Sequence, residues 1–260
     1  MTGHKIEHKA RYLIMQDGSV FEGIGFGAES DTTGEVVFTT GMVGYPEALT
    51  DPSYAGQVIV FTYPLIGNYG VPKRDASVVS SQFESYQIHA EGIVVASYID
   101  DYAHWNAFSS LDTWLAEEGI PAIAGIDTRA LTKKLRTHGV MIGNISATSK
   151  IPKEFDDPNT RNLVSEVSTR EIITYGAGSK TILLIDCGVK YSIIHELLSH
   201  GVKVVRVPWN FDIAQYHEPF HGAVISNGPG DPTQVIQTVE TVKNLMAADI
   251  PILGICLGNQ

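Results

Sequence analysis

Apolar positions follow two rhythms along this chain, and the change falls near residue 175. Before it, short runs with strand content stand at residues 11–15, 35–39, 57–62, 92–97 and 122–126. Turn signals such as Gln16-Asp17-Gly18, Asp51-Pro52-Ser53 and Ile66-Gly67-Asn68 separate them. Two helical patterns interrupt. Residues 109–118 carry Leu111, Trp114 and Leu115 on one face. Residues 128–138 carry Ala130, Leu131 and Leu135, with Asp127 or Thr128 placed to cap the start and Gly139 the end. This half reads as a mixed, mostly-β domain.

After residue 175 the rhythm becomes strand, loop, helix. Residues 181–185 form a short apolar run suited to a strand buried on both faces. Residues 191–200 put Ile194, Leu197 and Leu198 on one stripe, ended by Gly201. Further strands are expected at 202–207, 223–225 and 251–255. Residues 233–247 place apolar side chains at 235, 236, 239, 242, 245 and 246, close to a helical period. Alternating strands and helices predict a doubly wound parallel α/β sheet. The polar stretch 150–161 and the Tyr175-Gly176-Ala177-Gly178-Ser179 joint are expected connectors, giving domains at 1–175 and 179–260.

Composition supports a folded chain. Of 260 residues, 43% are hydrophobic and 18% charged, which argues against disorder. No apolar run reaches the ~18–20 residues of a membrane helix, and the polar opening stretch 1–11 lacks the apolar core of a secretory signal. The net charge of −11 disfavours binding to a phosphate backbone. The one basic cluster, Lys133, Lys134 and Arg136, reads as a solvated helix face. Two cysteines make no disulfide framework, so a reducing cytoplasm is expected.

Chemistry concentrates in Gly254-Ile255-Cys256-Leu257-Gly258. This is the G-x-nucleophile-x-G pattern of a strand-to-helix elbow, in which flanking glycines let the backbone crowd beneath an exposed nucleophile. The N–H of Leu257 is then placed to stabilise an oxyanion. Gly228-Pro229-Gly230 follows another strand of the same sheet, so both loops fall at the edge where open α/β sheets bind ligands. Other features are weaker. Gly23-Ile24-Gly25-Phe26-Gly27 reads as a β-turn region, and Asp100-Asp101 with His104 lacks further metal ligands. Cys187 reads as a structural thiol, Lys190 as a solvated side chain, and His195, His200, His217 and His221 as surface or loop residues.

Ser226-Asn227-Gly228-Pro229-Gly230-Asp231-Pro232 together with Gly254-Ile255-Cys256-Leu257-Gly258-Asn259-Gln260 resembles the class I, triad-type glutamine amidotransferases. Asp51-Pro52-Ser53-Tyr54, Thr62-Tyr63-Pro64-Leu65-Ile66-Gly67-Asn68-Tyr69-Gly70 and Ile126-Asp127-Thr128-Arg129 narrow the resemblance to the small subunit of carbamoyl-phosphate synthetase, over nearly the whole chain from about Arg11. The resemblance implies a partner-docking first domain and a flavodoxin-like glutaminase domain. Cys256 matches the nucleophile that forms a γ-glutamyl thioester and frees ammonia. Leu257 matches the oxyanion donor and Gln260 a side chain that holds glutamine. Gly228 and Gly230 match the substrate loop, and Ser53 a front-domain residue that reaches the bound glutamine.

The resemblance further implies no cofactor or metal in this chain. A separate large subunit would use ATP, Mg and bicarbonate to make carbamoyl phosphate for arginine and pyrimidine synthesis. Two departures stand out. Asn259 replaces the family's usual His at the elbow, and the family's catalytic His and Glu fall beyond residue 260. The glutaminase domain is therefore expected to be incomplete as written. The alternatives are a non-catalytic docking subunit and a glutaminase of another synthase, such as the anthranilate or guanylate enzymes; the long front domain argues against the latter.

Overall fold

The computed structural model describes residues 9–74, 77 and 79–260. The start of the polar opening stretch, residues 1–8, lies outside them. The described chain forms two compact units. The first takes residues up to 49, 56–75 and 87–158; the second takes 50–55, 76–86 and 159–260.

In the first unit seven strands close a barrel. They are β1 (Ala10–Met15), β2 (Val20–Gly27), β3 (Thr32–Thr39), β4 (Gln57–Phe61), β5 (Gly92–Val94), β6 (Pro121–Ala124) and β7 (Met141–Ser146). The order is β1-β7-β3-β4-β5-β6-β2, with β2 returning to β1. Strands β3 to β6 run parallel to their neighbours in that series, and the remaining pairs are antiparallel. Closure leaves no free sheet edge. Leu13, Met15, Val36, Val58, Val60, Val94, Ile123 and Ile145 fill the core.

Helix α1 (Leu111–Glu117) starts at Ser110, whose hydroxyl accepts the Thr113 N–H. Helix α2 (Thr128–His138) starts at Asp127, whose carboxylate accepts the Ala130 N–H at 2.8 Å. Of the two capping candidates, the structure selects Asp127. Gly139 closes α2 at φ +81°. Leu131 and Leu135 sink from α2 into the barrel core. The glycine run at 23–27 corrects an expectation: it is the second half of β2 and not a turn. The reason is close packing, since a Cβ on Gly23 would stand 2.3 Å from the Ala124 carbonyl oxygen.

The second unit is built on a five-stranded sheet. Its strands are β8 (Ile173–Tyr175), β9 (Thr181–Asp186), β10 (Lys203–Pro208), β11 (Gly222–Ile225) and β12 (Ile252–Gly254). They lie in the order β8-β10-β9-β11-β12, all parallel except the β8–β10 pair. Helix α3 (Leu163–Val167) precedes β8, α4 (Tyr191–Ser199) joins β9 to β10, and α5 (Ile236–Ala247) joins β11 to β12. Leu183, Leu184 and Ile185 of β9 are wholly buried, as expected for a central parallel strand.

The apolar stripe of α5 is only partly used. Val235 and Leu245 are buried, whereas Ile236 and Met246 are each 65% exposed. No helix among the described residues is long and apolar enough to cross a membrane. The mixed α/β architecture with a strand-rich first part agrees with the sequence reading at that level.

Candidate active site

The parallel strands β9, β11 and β12 deliver three loops to one edge of the sheet, the edge at their carboxyl ends. Each loop is held by contacts that its sequence makes necessary.

The loop after β9 is fixed by Asp186, which is fully buried. Its carboxylate accepts the N–H groups of Gly188 and Val189 at 2.9 and 2.8 Å, and that of Thr169 at 2.6 Å. The Arg206 guanidinium donates to the same carboxylate at 2.8 and 2.6 Å. A buried carboxylate with this many partners is a structural anchor. Cys187 beside it is equally inert. It is buried, its Sγ lies 3.9 Å from the Thr238 hydroxyl, and burial pushes its thiol up to about 12. The thiol is therefore protonated at neutral pH, in keeping with a structural role.

The loop after β11 begins at Ser226, whose hydroxyl accepts the Cys187 N–H at 2.9 Å. Asn227 follows, 4% exposed. Its carboxamide accepts the Lys190 N–H at 3.3 Å and donates to the Gly188 carbonyl at 2.9 Å and the Ser53 hydroxyl at 2.8 Å. Gly228 is obligatory on steric grounds: a Cβ there would stand 2.0 Å from the Cys187 carbonyl oxygen and 3.0 Å from Leu257. Gly230 adopts φ +77° and faces Leu163.

The turn after β12 holds Cys256. Its backbone sits at φ +52°, one of only two non-glycine residues with positive φ among the described residues. The left-handed region costs an L-residue roughly 1–2 kcal/mol, and such strain concentrates at functional positions. Both flanking glycines are packed against backbone. A Cβ on Gly254 would meet the Gly258 carbonyl oxygen at 2.4 Å, and one on Gly258 the Ile225 carbonyl oxygen at 2.3 Å. The Gly258 N–H also donates to the Ser226 carbonyl at 3.2 Å, tying this turn to the β11 loop. Cys256 is exposed and Leu257 buried. This is the geometry of a nucleophile elbow.

Cys256, Leu257 and Gly228 thus stand together, with Ser53 reaching the same edge through Asn227. Gln260 is exposed, and its N–H turns back to the Cys256 and Leu257 carbonyls at 3.3 and 3.2 Å. Ser53 belongs to the segment 50–55, which packs as part of the second unit although it stands far before residue 175. Its turn, Pro52–Tyr54, is capped by Asp51, whose carboxylate accepts the Ser53 N–H at 2.9 Å.

Lys190, read from sequence as a solvated side chain, lies 3.6 Å from both Asp51 and Glu84. Burial works against its ammonium, but the two carboxylates carry its pKa above the usual lysine value. Asp51 is held above the usual carboxylate range chiefly by burial, against the Ser53 hydrogen bonds and the Lys190 charge. Sequence reasoning missed this triad. Its one signal is the Asp51-Pro52-Ser53 turn, which shows that Asp51 caps but not that it meets a lysine.

His195, His200 and His221 are engaged elsewhere. His195 is 3.1 Å from the Ser80 carbonyl and His200 is 3.3 Å from Glu196. His221 accepts the Thr181 N–H at 3.1 Å, at the start of β9 and so roughly 17 Å of strand away from the loop edge. Among the described residues no group of three or more His, Cys, Asp or Glu could hold a metal ion. A cavity of about 410 Å³ lies between the elbow and α5, lined by Val235, Thr238, Val242 and Leu257 among others. Gly258, Asn259 and Gln260 of the elbow turn also line it, whereas Cys256 does not.

The family model for the carbamoyl-phosphate synthase small chain, CPSase domain, matches residues 13–145, and that for class-I glutamine amidotransferase matches residues 183–260. The chain is 48% identical over 257 residues to the arginine-specific carbamoyl phosphate synthase small chain of Neurospora crassa, covering 95% of this chain and 57% of that one. It is 49% identical over 255 residues to the multifunctional protein CAD of Squalus acanthias, covering 95% of this chain and 11% of that protein. Against the multifunctional protein ura1 of Schizosaccharomyces pombe the identity is 43% over 296 residues, covering 100% of this chain and 13% of that protein. The chain therefore spans little more than half of the small chains it matches.

Proposed function

Since this chain belongs to the carbamoyl-phosphate synthase small-chain family, we propose that it carries the nucleophile and part of the glutamine site of a glutaminase that feeds ammonia to a carbamoyl-phosphate synthase large subunit. The observation that carries this reading is Cys256 at φ +52°, between two glycines that no larger residue could replace.

The Cys256 thiolate attacks the side-chain carbonyl carbon of glutamine. The tetrahedral oxyanion is met by the Leu257 N–H and by the Gly228–Gly230 loop. Collapse breaks the C–N bond, leaves a γ-glutamyl thioester and releases ammonia, and water then hydrolyses the thioester to glutamate. Ser53 and Gln260 hold the substrate. The proton taken from the thiol and delivered to the leaving nitrogen needs a base, a role that the resemblance gives to a histidine.

Strand order supports a flavodoxin-like second domain. Numbered from β9, the parallel strands run 2-1-3-4, and the crevice between β9 and β11 is the topological switch point where such sheets bind ligands. The first domain is assigned to docking the large subunit, where ATP, Mg and bicarbonate are consumed. The product would serve arginine and pyrimidine synthesis in the cytoplasm.

The test is Cys256→Ser in the full-length protein assembled with its large subunit. Glutamine-dependent synthesis should vanish while ammonia-dependent synthesis continues. Undiminished use of glutamine by the variant would overturn the assignment.

A further inference from the structure

In the first unit, a cavity of about 450 Å³ is lined by Thr40, Thr62, Arg129, Thr132, Lys133 and Arg136. Thr40 directly follows β3 and Thr62 directly follows β4, two adjacent parallel strands. The cavity thus opens at their carboxyl ends, with α2 as its wall. From its position and charge we propose that it binds a small polyanion, one bearing two or more phosphoryl or carboxylate groups.

Three observations point there. First, Arg129, Lys133 and Arg136 occupy positions i, i+4 and i+7 of α2, which at about 100° per residue puts them within about 60° of one another on the helix surface. Like charges at this spacing repel and weaken the helix, so the stripe needs compensation. Second, the compensation is not internal. Among the described residues neither Arg129 nor Lys133 has an acidic partner. Lys134, one residue on and turned away, is ion-paired with Asp17. Arg136 is steadied 5.2 Å above the Phe38 ring, an interaction that leaves its N–H donors available. Third, the surroundings make the stripe unusual. In a chain of net charge −11, three cations and three threonines converge on one concave site of ligand size. Guanidinium groups suit phosphate and carboxylate alike, so the chemistry of the site names both.

The experiment is calorimetric titration of the full chain with sodium pyrophosphate and, separately, with citrate, at matched ionic strength. One saturable site is expected for at least one probe. Lys133→Gln should weaken it about tenfold, and Arg129→Gln combined with Lys133→Gln should abolish it. Lys133→Glu, a single exposed charge reversal, should also abolish it, so the result does not depend on the double variant folding. Binding of pyrophosphate alone identifies a phosphoryl ligand, and binding of citrate alone a polycarboxylate. The absence of saturable binding for both probes at millimolar concentration would overturn the proposal. So would unchanged affinity in the Lys133 variants, which would return the stripe to a solvated helix face.

Discussion

The Asn227 carboxamide donates a hydrogen bond of 2.8 Å to the Ser53 hydroxyl, joining residues 174 positions apart. The same side chain holds Gly188 and Lys190. One buried amide therefore pins the Ser53 turn and the β9 loop to the strand that leads into Gly228. Ser53 owes its place at this edge to Asn227 as much as to its own turn.

Asn227→Ala should for that reason act in two ways. It leaves a buried carbonyl and an N–H without their partner, which costs about 1–3 kcal/mol and lowers the denaturant midpoint. It also frees Ser53. Under the proposal that Ser53 holds substrate and does not react, the KM for glutamine in the full-length protein should rise more than kcat falls. Equal effects on both constants would show that Asn227 acts on the thiol and not on the Ser53 turn.

Strain at Cys256 predicts a trade of stability against chemistry. Cys256→Ala and Cys256→Gly both remove the thiol, but only glycine tolerates φ +52° without cost. The glycine variant should be more stable than the alanine variant by about 1 kcal/mol. At an ordinary negative φ the order would be reversed or null. Chemical denaturation of the two variants decides this, with no activity needed.

The two thiols should differ in reactivity over most of the pH scale. Cys256 is exposed, while Cys187 is buried with its thiol pushed up to about 12. Iodoacetamide should add one label to the native chain between pH 7 and 9, at Cys256, and none to Cys256→Ser. Peptide mapping by mass spectrometry reads the site. A label on Cys187 in the native state would show that its loop opens.

Much of this was legible in sequence where the cause is local. The run 181–185 is strand because nothing polar interrupts it, and α2 begins at Asp127 because a carboxylate there accepts a free N–H. The elbow was legible because glycines mark close backbone approach. What sequence hid is set by partners far along the chain. Gly23 and Gly25 look like turn residues, yet they are strand residues whose missing Cβ atoms make room for the Ala124 carbonyl and the Arg11 side chain. Segment 50–55 joins the second unit through contacts such as Ser53 with Asn227, which no local pattern encodes. Lys190 opens α4 like any solvated lysine until Asp51 and Glu84 are brought to it.

That triad gives a pH-dependent prediction. Lys190→Met removes the cation and leaves Asp51, 14% exposed, and Glu84, 13% exposed, facing each other. Breaking a fully buried pair costs about 3–5 kcal/mol. A third of the Lys190 side chain is in solvent, so solvent screening brings the expected loss to about 1–3 kcal/mol at neutral pH. Because the folded pKa of Lys190 is raised, its contribution is fully present below the unfolded lysine value of ~10.4. It is lost as pH rises through the higher folded value. On the acid side, the gap between wild type and variant should also narrow as Asp51 takes up a proton. Burial lifts the Asp51 pKa, so that narrowing should begin above the ~3.9 of an ordinary aspartate. Stability curves of both proteins from pH 3 to 11 test the pattern. A difference that stays constant across the whole range would mean that Lys190 acts through its methylene packing and not through its charge.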